Sequence, residues 1–207
     1  MNRRLLFGIR GVDAWRRTIG AALDPSIVER ARRGDLAAFE AIVVDRIGAV
    51  YRLTLAIAGN EADAADATQE TFIAAWRQVR SLRDPARLEP WLARIAVNAA
   101  RMVIRGRNRR AVREIHEIPG SGSIEVASIA APVDSTSSRA DDDARRLASA
   151  LDRLDPDRRA ILAMRHLEGK GIPQIAAALG IREGTAKSRL FAARKALHAA
   201  LDAEAPR

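Results

Sequence analysis

The chain contains no cysteine among its 207 residues, and aromatic residues make up only 4% of it. Without thiols, neither disulfide bonds nor thiolate-held zinc can contribute to its structure. Its three histidines, His116, His166 and His198, do not have metal-ligand spacing, and neither an adjacent nucleophile nor a glycine-rich phosphate loop accompanies them. These absences argue against an enzyme and predict a protein without a metal, a cofactor or a small-molecule substrate.

Long uncharged apolar runs are also missing. None approaches the roughly 20 residues that a membrane-spanning helix needs. Near the start of the chain, Arg10, Asp13 and Arg16 interrupt the apolar residues, whereas a signal peptide needs an uninterrupted apolar core. We therefore expect a soluble, cytoplasmic protein in which residues 1–25 form a loosely ordered N-terminal extension.

Positive charge is abundant. The 35 Lys and Arg residues exceed the 26 acidic ones, which gives a formal charge of +9. Such an excess favours a polyanionic partner, nucleic acid before an anionic membrane. Residues 94–113 contain seven arginines and no acid. A phosphate backbone would neutralise this density, although a basic tail without a specific partner is the alternative.

Residues 157–201 have the pattern of a helix-turn-helix. One short helix is followed by a second that opens at Pro173 and ends at Gly180, as a left-handed cap would end it. From Gly184, apolar residues recur at three- and four-residue steps, and most Lys and Arg lie on other faces. Within residues 157–199, nine Lys or Arg oppose three acids. A basic helix of this kind can enter the major groove of DNA, but a helical hairpin with a solvated basic face would share the pattern.

The N-terminal part is predicted to be helical too. Residues 26–33 form a short helix that Gly34 closes, and Asp35 is a candidate N-cap for a long apolar helix. The following helix, residues 61–80, gathers acid and amide groups on one side: Asp63, Asp66, Gln69 and Glu70. A solvated face on a core helix would give the same pattern.

A loop with two prolines is predicted at residues 81–90, and a helix with a buried apolar stripe that starts at Trp91 follows it. One polar stripe runs along that helix: Arg94, Asn98, Arg101 and Arg105. Residues 114–143 carry seven acids and a single arginine, and they lack apolar periodicity. This segment predicts a flexible linker, after which a helix restarts at Ala144.

The predicted fold class is therefore all-α, with two small helical domains joined by a flexible linker. We place the first domain at residues 26–112, the acidic linker at 113–143 and the helix-turn-helix domain at 144–202.

Three motifs carry a resemblance to a known family. They begin at Asp63 (DAADATQETFIAAW), Pro90 (PWLARIAVN) and Gly184 (GTAKSRLFAAR). In order and spacing they resemble the bacterial extracytoplasmic-function sigma factors of the sigma-70 family. The resemblance covers residues 26–110 and 144–201, which would correspond to sigma regions 2 and 4.

The resemblance implies a role for each motif. The acidic helix would dock on core RNA polymerase, on the coiled coil of the β′ subunit, with the β subunit as a further partner, through Asp63, Asp66, Gln69, Glu70 and Phe72. The arginine stripe, Arg94, Asn98, Arg101 and Arg105, would bind and help to melt the −10 element of promoter DNA. The −35 element would be bound by Thr185, Lys187, Ser188, Arg189, Phe191 and Arg194. The family also implies an anti-sigma factor, which could hold the protein at a membrane.

Some positions depart from the family pattern, and one rival function is close. Val97, Met102 and Ala192 stand where relatives often carry charged residues, and these changes affect the expected promoter sequence but not the class. The rival is a stand-alone helix-turn-helix regulator that binds duplex DNA without polymerase. Such a regulator has no need of the acidic helix at residues 61–80. A third reading, an anti-sigma or adaptor protein, does not explain two basic DNA-facing surfaces.

Overall fold

The computed structural model describes residues 24–117 and 139–203 of the chain, and the regular secondary structure in these two ranges is entirely helical. We call residues 24–117 the N-terminal half and residues 139–203 the C-terminal half. Short 3₁₀ turns at Val79–Ser81 and Pro85–Arg87 precede the fourth helix. The helices are α1 Pro25–Arg32, α2 Leu36–Ala58, α3 Glu61–Gln78, α4 Leu88–Glu117, α5 Arg139–Asp152, α6 Pro156–His166, α7 Ile172–Leu179 and α8 Glu183–Asp202.

Side-chain caps and glycines fix the helix ends of the N-terminal half. The Asp35 carboxylate accepts a hydrogen bond from the Ala38 N–H at 3.0 Å, and so satisfies a free donor in the first turn of α2. Gly59 ends α2 with a φ of +81°, a left-handed conformation that glycine adopts without steric cost. Asn60 then caps α3 by accepting from the Asp63 N–H at 2.8 Å. The predicted N-cap at Asp35 is confirmed.

The core of the N-terminal half lies where α2, α3 and α4 meet. Ile57 is fully buried there, and so is Thr54 on the same helix. The Thr54 hydroxyl shares a 2.9 Å hydrogen bond with the Thr68 hydroxyl of α3, and the Thr68 hydroxyl donates to the Ala64 carbonyl at 2.7 Å. Because a buried hydroxyl is costly to leave unpaired, this network fixes the packing of α2 against α3.

The C-terminal half contains the predicted helix-turn-helix. Asp155 caps α6 by accepting from the Arg158 N–H at 2.9 Å, and Gly180 ends α7 in the left-handed conformation with a φ of +66°. The turn leads directly into α8, which buries Ala186, Leu190 and Ala193 against the other helices. The opposite side of α8 is left for solvent, as a groove-binding helix requires.

Several predicted boundaries are wrong. Pro90 does not belong to a loop, because it lies in the first turn of α4, where its missing N–H breaks no intrahelical bond. That helix continues to Glu117 and α5 begins at Arg139, so helix replaces both ends of the predicted linker. Three acidic residues, Asp141, Asp142 and Asp143, lie within the first five positions of α5, and acidic side chains favour the start of a helix. The rest of the predicted linker and of the N-terminal extension, residues 118–138 and 1–23, lies outside the described residues.

The two halves pack against each other, an arrangement that the sequence did not indicate. Helix α6 contacts α2, and α7 contacts α4. Apolar residues from both halves form one continuous buried cluster that includes Leu53, Ile57, Ile161 and Ile175. The described parts of the chain thus share a single core.

Buried charge accompanies this packing at Glu168, which lies between α6 and α7. Its carboxylate is 3.0 Å from Lys170 Nζ, and Lys170 Nζ is 3.9 Å from the Glu89 carboxylate of α4. Desolvation raises the pKa of Glu168 above its ordinary value, although Lys170 and Arg52 oppose the rise. Glu89 raises that pKa further. Burial of this carboxylate in its charged form therefore lowers the free energy of unfolding.

We expect Glu168→Gln to raise the Tm at pH 7 by about 2–4 °C, the shift that 1 kcal/mol produces in a chain of this size. A carboxyl with a raised folded pKa stabilises the fold fully below its unfolded pKa, and this stability is lost as the pH rises through the folded pKa. The advantage of the variant should therefore shrink as the pH falls below the ordinary carboxyl pKa. Thermal unfolding between pH 4 and pH 8 measures both effects. Glu40→Gln, at an exposed site, is the control, and a variant less stable than the parent at pH 7 would contradict the expectation.

Candidate nucleic-acid interface

The acidic face of α3 is exposed at three of its predicted positions. Asp66, Gln69 and Glu70 lie on the solvent side of the helix. Asp63 is only 9% exposed, and its carboxylate accepts hydrogen bonds from the Asn60 amide and from Arg107. Asp66, Gln69 and Glu70 are therefore available to a partner, whereas Asp63 joins the start of α3 to α4.

Phe72, the remaining predicted residue of this helix, is buried. It is 9% exposed and belongs to the apolar cluster of the core. Its ring lines the floor of a groove between α2 and α3. Phe72 thus supports the shape of α3 and presents little surface of its own.

A cleft between α3 and α4 brings together two groups of residues that the sequence assigned to different partners. Asp66, Gln69 and Glu70 line one wall, and Arg94 and Asn98 line the other. Carboxylates and a guanidinium therefore share one opening, and the potential inside it depends on both signs of charge.

The wall from α4 follows a ridge of four-residue steps: Arg94, Asn98, Met102, Gly106 and Arg110. The polar stripe predicted from the sequence has mixed steps of four and three residues. After Asn98 it continues through Arg101 and Arg105, whereas the cleft wall continues through Met102, Gly106 and Arg110. Met102 is 63% exposed, which is unusual for a large apolar side chain. Counting strict four-residue steps from Arg94 would have added Met102 and Arg110 to the predicted site.

Arg101 and Arg105 do not line this cleft. Arg105 is exposed to solvent. Arg101 turns toward the C-terminal half, and its Nε donates a hydrogen bond to Asp157 Oδ1 at 2.7 Å. The four predicted −10 residues therefore have three different environments in this structure.

Helix α8 presents most of its predicted DNA-binding residues to solvent. Lys187, Ser188, Arg189 and Arg194 are exposed. Phe191 is 73% exposed, which leaves an aromatic ring on a basic surface. Thr185 is half-buried, and its carbonyl accepts a hydrogen bond from the Ser188 hydroxyl at 3.0 Å.

The first turn of α8 is also open to an anion. Its N-cap residue, Arg182, makes no side-chain capping hydrogen bond. Backbone N–H groups at a helix N-terminus favour negative charge, and the helix dipole adds to this preference. The backbone at this end and the exposed Lys187, Arg189 and Arg194 side chains therefore favour the same kind of ligand, whereas Glu183 in the first turn opposes it.

The sequence did not predict an apolar groove between α2 and α3. Phe39 and Trp76 meet in it with their ring centroids 5.0 Å apart. Ile47 lies on the predicted apolar helix after Asp35, but it is 48% exposed and lines this groove, as does Leu36. Apolar residues at core spacing cannot reveal such a surface, because a buried stripe and a groove wall have the same period.

Across residues 24–117 and 139–203, no helix is both long enough and apolar enough to cross a membrane.

Over the same residues, no cluster of His, Cys, Asp and Glu side chains has the grouping of a metal site.

Two family models match this chain. Residues 43–110 match the family described as sigma-70 region 2, and residues 144–197 match sigma-70, region 4. The ECF RNA polymerase sigma-E factor of Haemophilus influenzae is 30% identical over 180 residues, which cover 83% of this chain and 92% of that protein. This chain belongs to the extracytoplasmic-function RNA polymerase sigma factors of the sigma-70 family. The family predicted from the three motifs is confirmed.

Other sigma factors show similar sequence identity to this chain. SigE of Mycolicibacterium smegmatis is 34% identical over 167 residues, which cover 79% of this chain and 63% of that longer protein. The sigma-H factor of Pseudomonas aeruginosa is 29% identical over 190 residues, which cover 86% of this chain and 93% of that protein. As a sigma factor, the protein associates with core RNA polymerase and acts in transcription initiation.

Solved sigma factor structures share the fold. CnrH in complex with the cytosolic domain of CnrY is 28% identical, with a TM-score of 0.62, and the match covers 88% of this chain and 99% of that one. RpoE of Bartonella quintana, in complex with the anti-sigma factor NepR, has a TM-score of 0.59 at 23% identity, over 81% of this chain and 98% of that one. The predicted all-α fold with region 2-like and region 4-like parts is confirmed.

Proposed function

We propose that this sigma factor directs core RNA polymerase to promoters by reading the −35 element with α8 and the −10 element with α4. The observation that carries the proposal is the surface of α8. Its apolar side is buried, while Lys187 and Phe191 stand exposed on a helix held across a glycine turn. This geometry suits entry of a helix into the major groove, with side chains of its N-terminal part at the base edges.

Each residue of α8 has a chemical reason for its role. Lys187 and Ser188 can donate hydrogen bonds to base acceptors, and the Phe191 ring can contact a thymine methyl group. Arg189 and Arg194 can neutralise phosphates, which fixes the helix in the groove without selecting a sequence. Thr185, half-buried in the first turn, can support this end of the helix through its bond to Ser188.

At the −10 element, we assign DNA contacts to Arg94, Asn98, Arg101 and Arg105. Strand separation exposes unstacked bases and two lines of phosphate, so the protein must supply stacking or hydrogen bonds and positive charge. Arg94 and Asn98 supply donors at the mouth of the cleft, and Arg105 supplies exposed charge. Arg101 can join them only when its contact with Asp157 is broken.

We assign the polymerase contact to Asp66, Gln69 and Glu70, which form an exposed acidic ridge on α3. Such a ridge complements a basic surface, and we propose the coiled coil of the β′ subunit as that surface. For the C-terminal half, we propose the β subunit as the partner. Asp63 and Phe72 would act by positioning α3, because both are largely buried. The protein would have no catalytic activity of its own and would work in the cytoplasm, where the polymerase and its DNA are found.

An anti-sigma factor is the further partner that we propose. The solved structures of similar fold contain CnrH with the cytosolic domain of CnrY and RpoE with the anti-sigma factor NepR. The exposed apolar groove between α2 and α3 offers a docking surface that a solvated helix pair would not need.

Runoff transcription tests the proposal. Purified core RNA polymerase is supplied with genomic promoter fragments, with and without this protein, and the transcripts are sequenced. We expect initiation that depends on the protein, from starts that share two sequence elements upstream. If the protein binds duplex DNA and yet never supports initiation, the stand-alone regulator is the better description.

A further inference from the structure

The apolar groove between α2 and α3 leaves large hydrophobic side chains in solvent. Residues 24–110 expose five such side chains, and three of these line the groove: Leu36, Ile47 and Trp76. The groove encloses about 920 Å³. Because exposed apolar surfaces of this kind mark interaction sites in soluble proteins, we looked for a segment that fits it.

The N-terminal extension is close enough to reach this groove. The groove follows α2 from Leu36 to Tyr51, which is about 22 Å at 1.5 Å per residue. Helix α1 ends just before Leu36 and has eight residues, so its start lies only about 12 Å further back. Residues 20–24, which precede α1, can extend over roughly 17 Å. Ile19 can therefore lie beside the Leu36 end of the groove.

Residues 1–23, which lie outside the described residues, have an apolar pattern that matches the groove in length. The pattern recurs at helical spacing on one face: Leu5, Ile9, Val12, Ile19 and Leu23. From Leu5 to Ile19 a helix would span about 21 Å. Arg16 falls on the same face, where its long stem can lie along the groove while the guanidinium reaches the rim.

This segment is a poor helix by itself. Gly8, Gly11 and Gly20 each disfavour helical backbone. Amphipathic helices in proteins gain most of their stability from the packing of their apolar face. The segment therefore needs an apolar surface in order to become a helix, and the groove supplies one.

Charge favours the same pairing. Residues 1–23 contain five arginines and a single acid, Asp13. The exposed acids Glu40 and Asp66 directly follow the lining residues Phe39 and Ala65 in sequence. Among the described residues that line the groove, only Arg77 is charged. A basic segment is therefore attracted to the rim, and salt should weaken this attraction.

We propose that residues 5–23 form a helix in the groove between α2 and α3 of the same chain. The helix runs antiparallel to α2, so that Ile19 lies near Leu36. Leu5 then lies near Tyr51. Because the segment is attached to α1, its effective concentration at the groove is on the order of millimolar. A partner that uses the groove must displace the segment first, and its apparent affinity falls with the fraction of open grooves.

Distances between two spin labels test the proposal in the full-length chain, which has no native cysteine to compete for the label. One label is attached at Asp13→Cys and the other at Val44→Cys, a 78% exposed position on α2. Packed helices have axes about 8–10 Å apart, so we expect one narrow distance distribution centred below roughly 30 Å. Labels at Asp13→Cys and Met102→Cys, an exposed position on α4, should lie farther apart.

A pair of substitutions in the segment should abolish docking. Ile9→Asp with Ile19→Asp places two carboxylates on the apolar face, which should broaden the distance distribution. It should also lower the Tm by about 4 °C or more, because the groove loses its apolar cover. The matched control, Thr18→Asp with Ala21→Asp, adds the same charge away from that face. This control should keep the narrow distribution and the parental Tm.

Three results would overturn the proposal. The first is a broad distribution between the two labels in the parent chain, and the second is a distribution that Ile9→Asp with Ile19→Asp leaves unchanged. The third is a short distance between two singly labelled copies after mixing, which would place a second copy in the groove. None of these measurements involves polymerase or promoter DNA, so this inference and the proposed function can fail separately.

Discussion

Glu70→Arg is expected to weaken binding to core RNA polymerase about ten- to a hundredfold. Glu70 lies beside Asp66 and Gln69 on the exposed ridge of α3. Reversal of its charge places a cation against a basic partner surface, and like charges across an interface cost several kcal/mol when they are well buried there. Asp66→Arg should act in the same direction, because it belongs to the same ridge.

The binding of labelled protein to core polymerase, measured by fluorescence anisotropy at two salt concentrations, checks this expectation. Glu40→Arg, an equal charge reversal at an exposed site on α2, is the control and should bind as the parent does. Both variants should unfold within a few degrees of the parent, because exposed substitutions usually change stability by about 0.5 kcal/mol or less. An unchanged affinity of the Glu70 variant would reject the polymerase-binding assignment of α3.

The second large effect is expected from Lys187→Ala combined with Arg189→Ala. Both side chains are exposed on the first two turns of α8, away from the buried Ala186 and Leu190. Removal of two cations should lower the affinity for a −35 duplex at least tenfold. It should also reduce the slope of log affinity against log salt by about one to two units, since each released phosphate contact contributes about 0.9.

Holoenzyme footprints and duplex binding across a salt series provide this measurement. Arg33→Ala with Arg146→Ala removes the same charge from two exposed positions, the C-cap of α1 and a site on α5, to which we assign no DNA contact. The salt slope of that control should stay close to the parental value. Persistence of the −35 footprint in the α8 variant would show that another surface binds this element.

Helix positions could be predicted from the sequence wherever a local signal marks them. Asp35, Gly59 and Gly180 each end or begin a helix through their own backbone or side chain, so their neighbours in sequence suffice. Pro90 misled because proline indicates both loops and first turns of helices. The end of α4 at Glu117 carries no such signal, and the change in composition near residue 114 does not coincide with it.

The arrangement of the site could be predicted only in part. The motifs identified the family and the helices, and exposure agrees with the assigned roles at Asp66, Glu70 and Lys187. The contact of Arg101 with Asp157 joins residues 56 positions apart in sequence, and no local pattern encodes such a pair. The pairing of Asp63 with Arg107 of α4 is not encoded locally for the same reason.

On the proposed assignments of α3 to polymerase and α4 to DNA, the cleft between these helices would make the binding of the two ligands thermodynamically dependent on each other. Acidic Asp66 and Glu70 share the opening with basic Arg94, so each group lowers the field that the other presents to a ligand. A partner that neutralises the acids leaves a more positive potential for a DNA strand at Arg94. By reciprocity, a bound strand tightens the hold on that partner by the same factor. The sigma factor would then bind polymerase most tightly while a promoter strand is bound, and less tightly after the strand dissociates.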